Sequence, residues 1–251
     1  MSSPDPALSA ATRLARDLVA AGAPQPTVTP WGLEYDRLVL ATAVPPPQVG
    51  QRWRTRPVNA VSDSVREALA TAGIATAIDL PRPLLPLPDT SLYAGDHASG
   101  VVRCDDRAGD ALGAFLLCWA LQRPQARLSV GHPQSLAPAR ALGYPVEPAG
   151  APPVVVVCAG AEPYPPPVVV DALAAGLAVV GVATPALVAV VGDAGLLVHS
   201  ADSVETLAEA LAGVLGDAGV ATELGRRGRR RLEQLDPAAT IRQVAAMLRS
   251  T

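Results

Sequence analysis

Two carboxylates, Glu162 and Asp171, stand where a predicted strand ends and a predicted helix begins. Open α/β sheets hold their ligands in the crevice outside the carboxyl ends of the strands, so this position suggests a ligand site. The competing interpretation is a loop acid followed by a helix N-terminal acid that complements the helix dipole. The residue types alone leave both interpretations open.

Basic residues offer a second set of candidates. Arg103 ends a predicted strand, and it is either a phosphate ligand or a surface residue paired with Asp105 or Asp106. The run Arg226–Arg231 is interpreted as a solvated helix face, because no interleaved aromatic residues accompany it as nucleic-acid binding would require. Cys158 ends a buried strand with no histidine nearby in sequence, so it is interpreted as a small packing residue.

Composition excludes several classes of function. All 20 basic residues are arginine, which excludes P-loop lysine and Schiff-base chemistry. A net charge of −3 gives no general attraction to nucleic acid or anionic lipid. Three widely spaced cysteines fit neither a disulfide framework nor a zinc site. With no signal-peptide pattern at the N-terminus, we expect a cytoplasmic protein.

The uncharged run from Ala172 to Gly192 is long enough to raise the question of a membrane span. Gly176, Gly181 and Pro185 interrupt it, so we predict buried helix, short strand, turn and helix instead.

The first third of the chain reads as a small α/β region. The predicted elements are a helix capped by Ser9 and ending near Ala21, strands at 27–30, 36–44, 58–61 and 75–80, and a helix capped by Ser62. Residues 45–56 are predicted to be a proline-rich loop that carries Trp53. The proline-dense segment 81–88 is predicted to be an extended connector and the domain boundary.

Beyond the connector, strands and helices alternate, which predicts a parallel sheet. The predicted strands are 100–103, 126–130, 154–158, 178–182 and 196–198. The predicted helices are 110–122, 135–142, one from about 168, one near 186, 204–215, 220–234 and 237–249. The predicted domains are therefore 1–88, 89–235 and a C-terminal helix at 236–251.

At this point a series of motifs stands in the order found in one known family. They are Ser62-Asp-Ser-Val-Arg-Glu-Ala-Leu, the connector prolines, Val101-Val-Arg103, Gly131, Glu162-Pro-Tyr-Pro, Asp171-Ala-Leu-Ala-Ala-Gly and Gly192-Asp-Ala-Gly-Leu-Leu-Val. Over residues 100–250 the chain resembles the donor-binding half of retaining GT-B glycosyltransferases of the family-4 type. The resemblance implies an α/β, GT-B-like fold with a complete C-terminal Rossmann-like parallel-sheet domain and an abbreviated N-terminal α/β domain.

The resemblance also implies a donor site without a required metal, with a nucleotide sugar as substrate. In such enzymes a Glu faces the transferring sugar, and a second Glu after seven residues binds the ribose; the corresponding residues here are Glu162 and Asp171. Eight residues separate these two, and the second is Asp. An Arg and a Lys hold the pyrophosphate in the family, because cations stabilise the leaving diphosphate. Arg103 matches the first, and Gly131 is another matched position.

The second pyrophosphate cation of the family falls on Ala108. Arg107 can replace it if the loop turns differently, since a guanidinium clamps phosphate through parallel bonds. Two hypotheses follow from this mixture of matches and departures. The protein transfers a sugar from a nucleotide sugar to an unknown acceptor, or it is a catalytically silent relative that binds a protein partner such as a full-length glycosyltransferase.

Overall fold

The structure is a computed structural model, and it describes residues 6–77, 80, 83–93, 101–104, 127–130, 146–147, 155–158, 167–199 and 204–250. The described residues fall into two compact units. The first unit comprises Met1–Leu87, Pro163–Pro167 and Leu235–Thr251, and the second comprises Pro88–Glu162 and Val168–Gln234. The predicted domain boundaries themselves stay a prediction.

The first unit contains a four-stranded sheet and the helices around it. Its elements are α1 (Pro6–Ala20), β1 (Thr27–Thr29), β2 (Gly32–Glu34), β3 (Val39–Ala41), α2 (Pro47–Trp53), β4 (Val58–Ala60) and α3 (Asp63–Thr71), with α8 (Pro237–Ser250) returning from the chain end. The sheet order is β1-β2-β3-β4, antiparallel except for the parallel β3–β4 pair. Helices α1 and α8 pack together, and Leu14, Leu18, Val244 and Leu248 lie in the shared core.

Of the two helix N-caps predicted in this unit, one is present in the structure and the other is not. Ser62 caps α3 as predicted, since its hydroxyl accepts from the Val65 N–H at 3.2 Å. The predicted Ser9 cap is wrong, because α1 already contains Pro6. A proline is compatible with a first helical turn because the N–H it lacks would have no partner within the helix.

The prediction of an irregular loop over residues 45–56 is wrong, because α2 occupies Pro47–Trp53. Trp53 is fully buried, and its indole N–H donates to the Glu34 carboxylate at 3.1 Å. Arg52 and Arg56 also bond Glu34. Burial of Trp53 and the ion pairs with Glu34 are tertiary interactions that a local reading of this polar segment does not contain.

Two strand predictions in the first unit also need correction. The predicted strand 36–44 is the shorter β3, and β2 precedes it at Gly32–Glu34. No strand is present at residues 75–77 or at 80. The Ala77 N–H nevertheless bonds the Val58 carbonyl at 2.8 Å, so the chain runs beside β4 without forming a ladder.

The second unit contains the predicted parallel sheet. Its strands are β5 (Val101–Cys104), β6 (Arg127–Val130), β7 (Val146–Glu147), β8 (Val155–Cys158), β9 (Ala178–Val182) and β10 (Leu196–Val198). Their order is β10-β9-β8-β5-β6-β7, and every neighbouring pair is parallel. The predicted α/β fold class with a parallel sheet is therefore confirmed for the second unit.

The described helices of this unit are α4 (Pro167–Ala175), α5 (Pro185–Val191), α6 (Val204–Gly216) and α7 (Ala218–Leu235). The uncharged run 172–192 folds as the end of α4, then β9 and α5, as predicted. Among the residues that the structure describes, no helix is long and apolar enough to cross a membrane. The helices predicted at 110–122 and 135–142 lie outside the described residues.

Helix α7 packs very closely against α4. Gly225 of α7 faces the backbone of Gly176, and a Cβ at position 225 would overlap the Gly176 carbonyl oxygen. Gly228 lies one turn further along and meets Leu173. Gly176 has φ +75°, the left-handed conformation that commonly ends a helix. The close approach therefore depends on the absence of a side chain at Gly225, while Gly176, directly after α4, supplies the left-handed turn.

Candidate functional site

The strand order places a topological switch point between β5 and β8. From β5 the chain proceeds through β6 and β7 toward one edge, and from β8 through β9 and β10 toward the other. The crevice outside the carboxyl ends of strands at such a point is where open α/β sheets bind ligands. The segments that leave Cys104 of β5 and Cys158 of β8 are therefore the candidate site.

Three of the predicted site residues, Arg103, Arg107 and Glu162, belong to these strands and segments. Arg103 is in β5, where it is paired in register with Ser129 of β6 and Val156 of β8. It is thus on a central strand of the sheet, one residue before the strand ends. Glu162 follows β8 in the chain, and it lies outside the described residues, as do Arg107 and Gly131. The roles predicted for these four residues stay predictions.

Asp171 lies in α4, and the structure shows what its carboxylate contacts. The residue is only 3% exposed, and its Oδ1 accepts a hydrogen bond of 2.7 Å from the backbone N–H of Asp89. Asp89 belongs to the segment that follows the connector prolines. The sequence analysis did not predict this bond, because the two residues are far apart in the chain and neither shows a local pattern.

The N-terminus of α5 lies at the same end of the sheet. Thr184 caps it by accepting from the Leu187 N–H at 3.2 Å, and Pro185 takes the first helical position. The Ala183 N–H bonds the carbonyl of Val198, the last residue of β10. A Thr-Pro pair before an apolar run was the available sequence signal for this cap.

Arginines of α7 bind the C-terminal ends of α4 and α5. Arg229 donates to the Ala175 carbonyl at 2.7 Å, and Arg231 donates to the carbonyls of Ala189 and Val190 at 2.8 and 3.1 Å. Cations at helix C-termini satisfy open carbonyls and complement the dipole. Four arginines of the basic run are exposed, as predicted, and Arg231 is half-buried. Arg229 and Arg231 also fix the C-termini of α4 and α5.

The other arginines include a surface ion-pair cluster. Arg226 and Arg227 both bond the Glu223 carboxylate, at 2.7 and 2.8 Å. The hydrogen bonds from Arg226 and then Arg227 lower the pKa of Glu223 to about 2. Across the part of the chain that the structure describes, no group of His, Cys, Asp and Glu is arranged to hold a metal ion.

Comparison with solved structures gives clear fold neighbours. A UDP-forming α,α-trehalose-phosphate synthase from Burkholderia vietnamiensis matches with a TM-score of 0.61 at 13% identity, over 85% of this chain and 69% of that one. A point mutant of S. aureus TarM, in complex with fondaparinux, α-GlcNAc-glycerol and UDP, matches with a TM-score of 0.56 at 11% identity, over 79% of this chain and 44% of that one. The pneumococcal O-GlcNAc transferase GtfA, in complex with UDP and GlcNAc, matches with a TM-score of 0.53 at 13% identity, over 74% and 42%.

No family profile and no curated protein matches the chain in sequence. The chain spans less than half the length of TarM and of GtfA. Identities this low show the fold alone. These structural neighbours are GT-B glycosyltransferases, and this protein therefore has a GT-B-like α/β fold.

Proposed function

We propose that this protein transfers a sugar from a nucleotide-sugar donor to an acceptor, as a retaining enzyme of the family-4 type. The observation that carries the proposal is the switch point between β5 and β8, with Arg103 in one flanking strand and Glu162 in the segment after the other. The same general fold holds UDP in TarM and GtfA, which supports a nucleotide as the ligand here.

In the proposed reaction, arginines bind the diphosphate of the donor and a carboxylate faces its sugar. Cleavage of a nucleotide sugar leaves negative charge on the diphosphate, and a preorganised cation stabilises it as it develops. Arg103 supplies that cation, joined by Arg107, because a guanidinium can bind two phosphate oxygens at once. Glu162 faces the transferring sugar, and Gly131 lets the backbone approach the donor closely. At the position of Asp171 the resembled family carries the Glu that binds the ribose.

The test is donor turnover by Glu162→Gln, with Glu233→Gln on the exposed face of α7 as the matched control. Release of UDP, GDP or ADP from the corresponding nucleotide sugars is measured. We expect Glu162→Gln to lower turnover by about a hundredfold or more, the range typical of a carboxyl group that acts in the reaction. The control should retain wild-type turnover. Equal turnover in both variants would remove Glu162 from the mechanism.

A second candidate function is a catalytically silent subunit that binds a protein partner. It is favoured by the engaged Asp171 carboxylate and by Ala108 at the position of the second pyrophosphate cation. This alternative predicts a defined complex with a full-length glycosyltransferase in light scattering, and no nucleotide release. A monomer with measurable turnover would exclude it.

A further inference from the structure

Two buried aspartates hold the connector on either side of Pro88. The first is Asp17 of α1, which is 4% exposed and accepts from the Leu87 N–H at 2.7 Å. The Leu87 carbonyl is also held, by the Arg13 guanidinium at 2.8 Å. Leu87 is the last connector residue in the first unit. Both backbone polar groups of Leu87 are thus bonded to α1.

The second anchor is Asp171 of α4, which accepts from the Asp89 N–H at 2.7 Å. The Asp89 carboxylate in turn accepts from the backbone N–H and the hydroxyl of Ser91, at 3.1 and 2.6 Å. These bonds begin a single 3-10 turn, Ser91–Tyr93, whose Tyr93 is buried. Pro88 and Asp89 belong to the second unit. The chain therefore passes from one anchored residue to the next through Pro88 alone.

We propose that Asp17 and Asp171 form a paired clamp that fixes the connector on both sides of Pro88, and that Asp171 acts on the donor site as a positioning residue, through the connector. Bonds from an N–H to a buried carboxylate are among the stronger hydrogen bonds of proteins, and a buried carboxylate that loses its donor is costly. Proline has a fixed φ and no N–H, so the one residue between the anchors is itself stiff.

The effect of Asp171 on the donor site rests on the proposed function, and it replaces direct ribose binding by positioning. A carboxylate that is 3% exposed and bonded to the connector does not also present itself to ribose hydroxyls. Helix α4, which carries Asp171, begins where the segment containing Glu162 ends. Fixing Asp89 to this helix therefore ties the connector to the element that follows Glu162 in the chain.

The clamp is tested by amide hydrogen exchange of the full chain, resolved by NMR at Leu87 and Asp89. Asp171→Ala should raise exchange at Asp89 by roughly ten- to a hundredfold, which corresponds to loss of a hydrogen bond to a charged group, and leave Leu87 unchanged. Asp171→Asn keeps an acceptor oxygen without the charge, so we expect about a fivefold rise. Asp17→Asn should affect Leu87 in the same way. Asp193→Asn, at an exposed acid, is the control and should change neither.

Measuring UDP binding by these variants distinguishes a positioning role of Asp171 from direct contact with the ribose. Positioning predicts that Asp171→Asn and Asp17→Asn both weaken binding of UDP, because either change loosens the connector. Direct ribose contact predicts weaker binding in Asp171→Asn alone, with exchange at Asp89 as in the wild type, and that result would overturn the proposal. Wild-type exchange at Asp89 in Asp171→Asn would overturn it as well. If wild-type protein binds no nucleotide sugar, the proposed function fails, while the exchange result still decides the clamp.

Discussion

Replacing Gly225 of α7 by alanine should destabilise the protein, although alanine has the higher intrinsic helix propensity. In a helix interior, Gly→Ala normally gains about 1 kcal/mol. At Gly225 the new methyl group would overlap the backbone carbonyl of Gly176, which cannot rotate away as a side chain can. Overpacking of this kind typically costs ~1–3 kcal/mol, and displacement of the backbone puts it at the upper end. We therefore expect a net loss of about 2 kcal/mol for Gly225→Ala.

The matched control is Gly213→Ala in α6, where an added Cβ meets no atom within 4 Å. There only the intrinsic preference operates, so we expect a gain of up to about 1 kcal/mol. For a chain of this length, thermal unfolding should move by about 2–4 °C per kcal/mol, so Gly225→Ala should fall by about 4–8 °C while Gly213→Ala rises. The two variants are compared by circular dichroism and calorimetry. A Gly225→Ala protein as stable as the wild type would refute the close packing of α7 on α4.

Two further predictions concern the arginines and acid of α7. Arg231→Ala should cost about 1 kcal/mol in urea unfolding, because the carbonyls of Ala189 and Val190 lose their donor, whereas Arg230→Ala should lie within the error of the wild type; equal losses would contradict the capping role. The pKa of Glu223 is lower in the folded chain than the usual 4.5, so its contribution to stability is present above pH 4.5 and is lost as the pH falls toward about 2. Glu223 is exposed and screened by solvent, so Glu223→Gln should reduce the slope of stability against pH only slightly in that range; an equal or steeper slope would count against the assignment.

The parallel sheet was predictable because its strands are short apolar runs separated by helical patterns. Strands β9 and β10 were predicted with the bounds that the structure shows, and α5 with its Thr-Pro start follows ordinary capping chemistry. Each of these signals lies within a few residues of the element it specifies. Local patterns therefore sufficed for five of the six described strands of the second unit, whereas the two-residue edge strand β7 was not predicted.

The sequence did not predict the features that depend on contacts between residues far apart in the chain. Helix α2 contains Gly50 and is preceded by prolines, and it depends on burying Trp53 beside Glu34. Glu34 itself is a buried charge in β2, stabilised by Arg52 and Arg56. The bond from Asp89 to Asp171 likewise joins residues with no shared local pattern. Such pairs are visible only after folding, so the sequence indicated Asp171 as a site residue without indicating its partner.

The central claim is that the crevice at the β5–β8 switch point binds a nucleotide sugar. It is tested most directly by thermal unfolding with UDP-, GDP- and ADP-linked sugars, in the wild type, in Arg103→Ala and in the control Arg230→Ala. A ligand at a hundred times its dissociation constant stabilises by about 2.7 kcal/mol, which is easily measured. We predict that at least one donor stabilises the wild type and the control, and stabilises Arg103→Ala clearly less. If no nucleotide sugar shifts the unfolding of the wild type at millimolar concentration, the claim is contradicted.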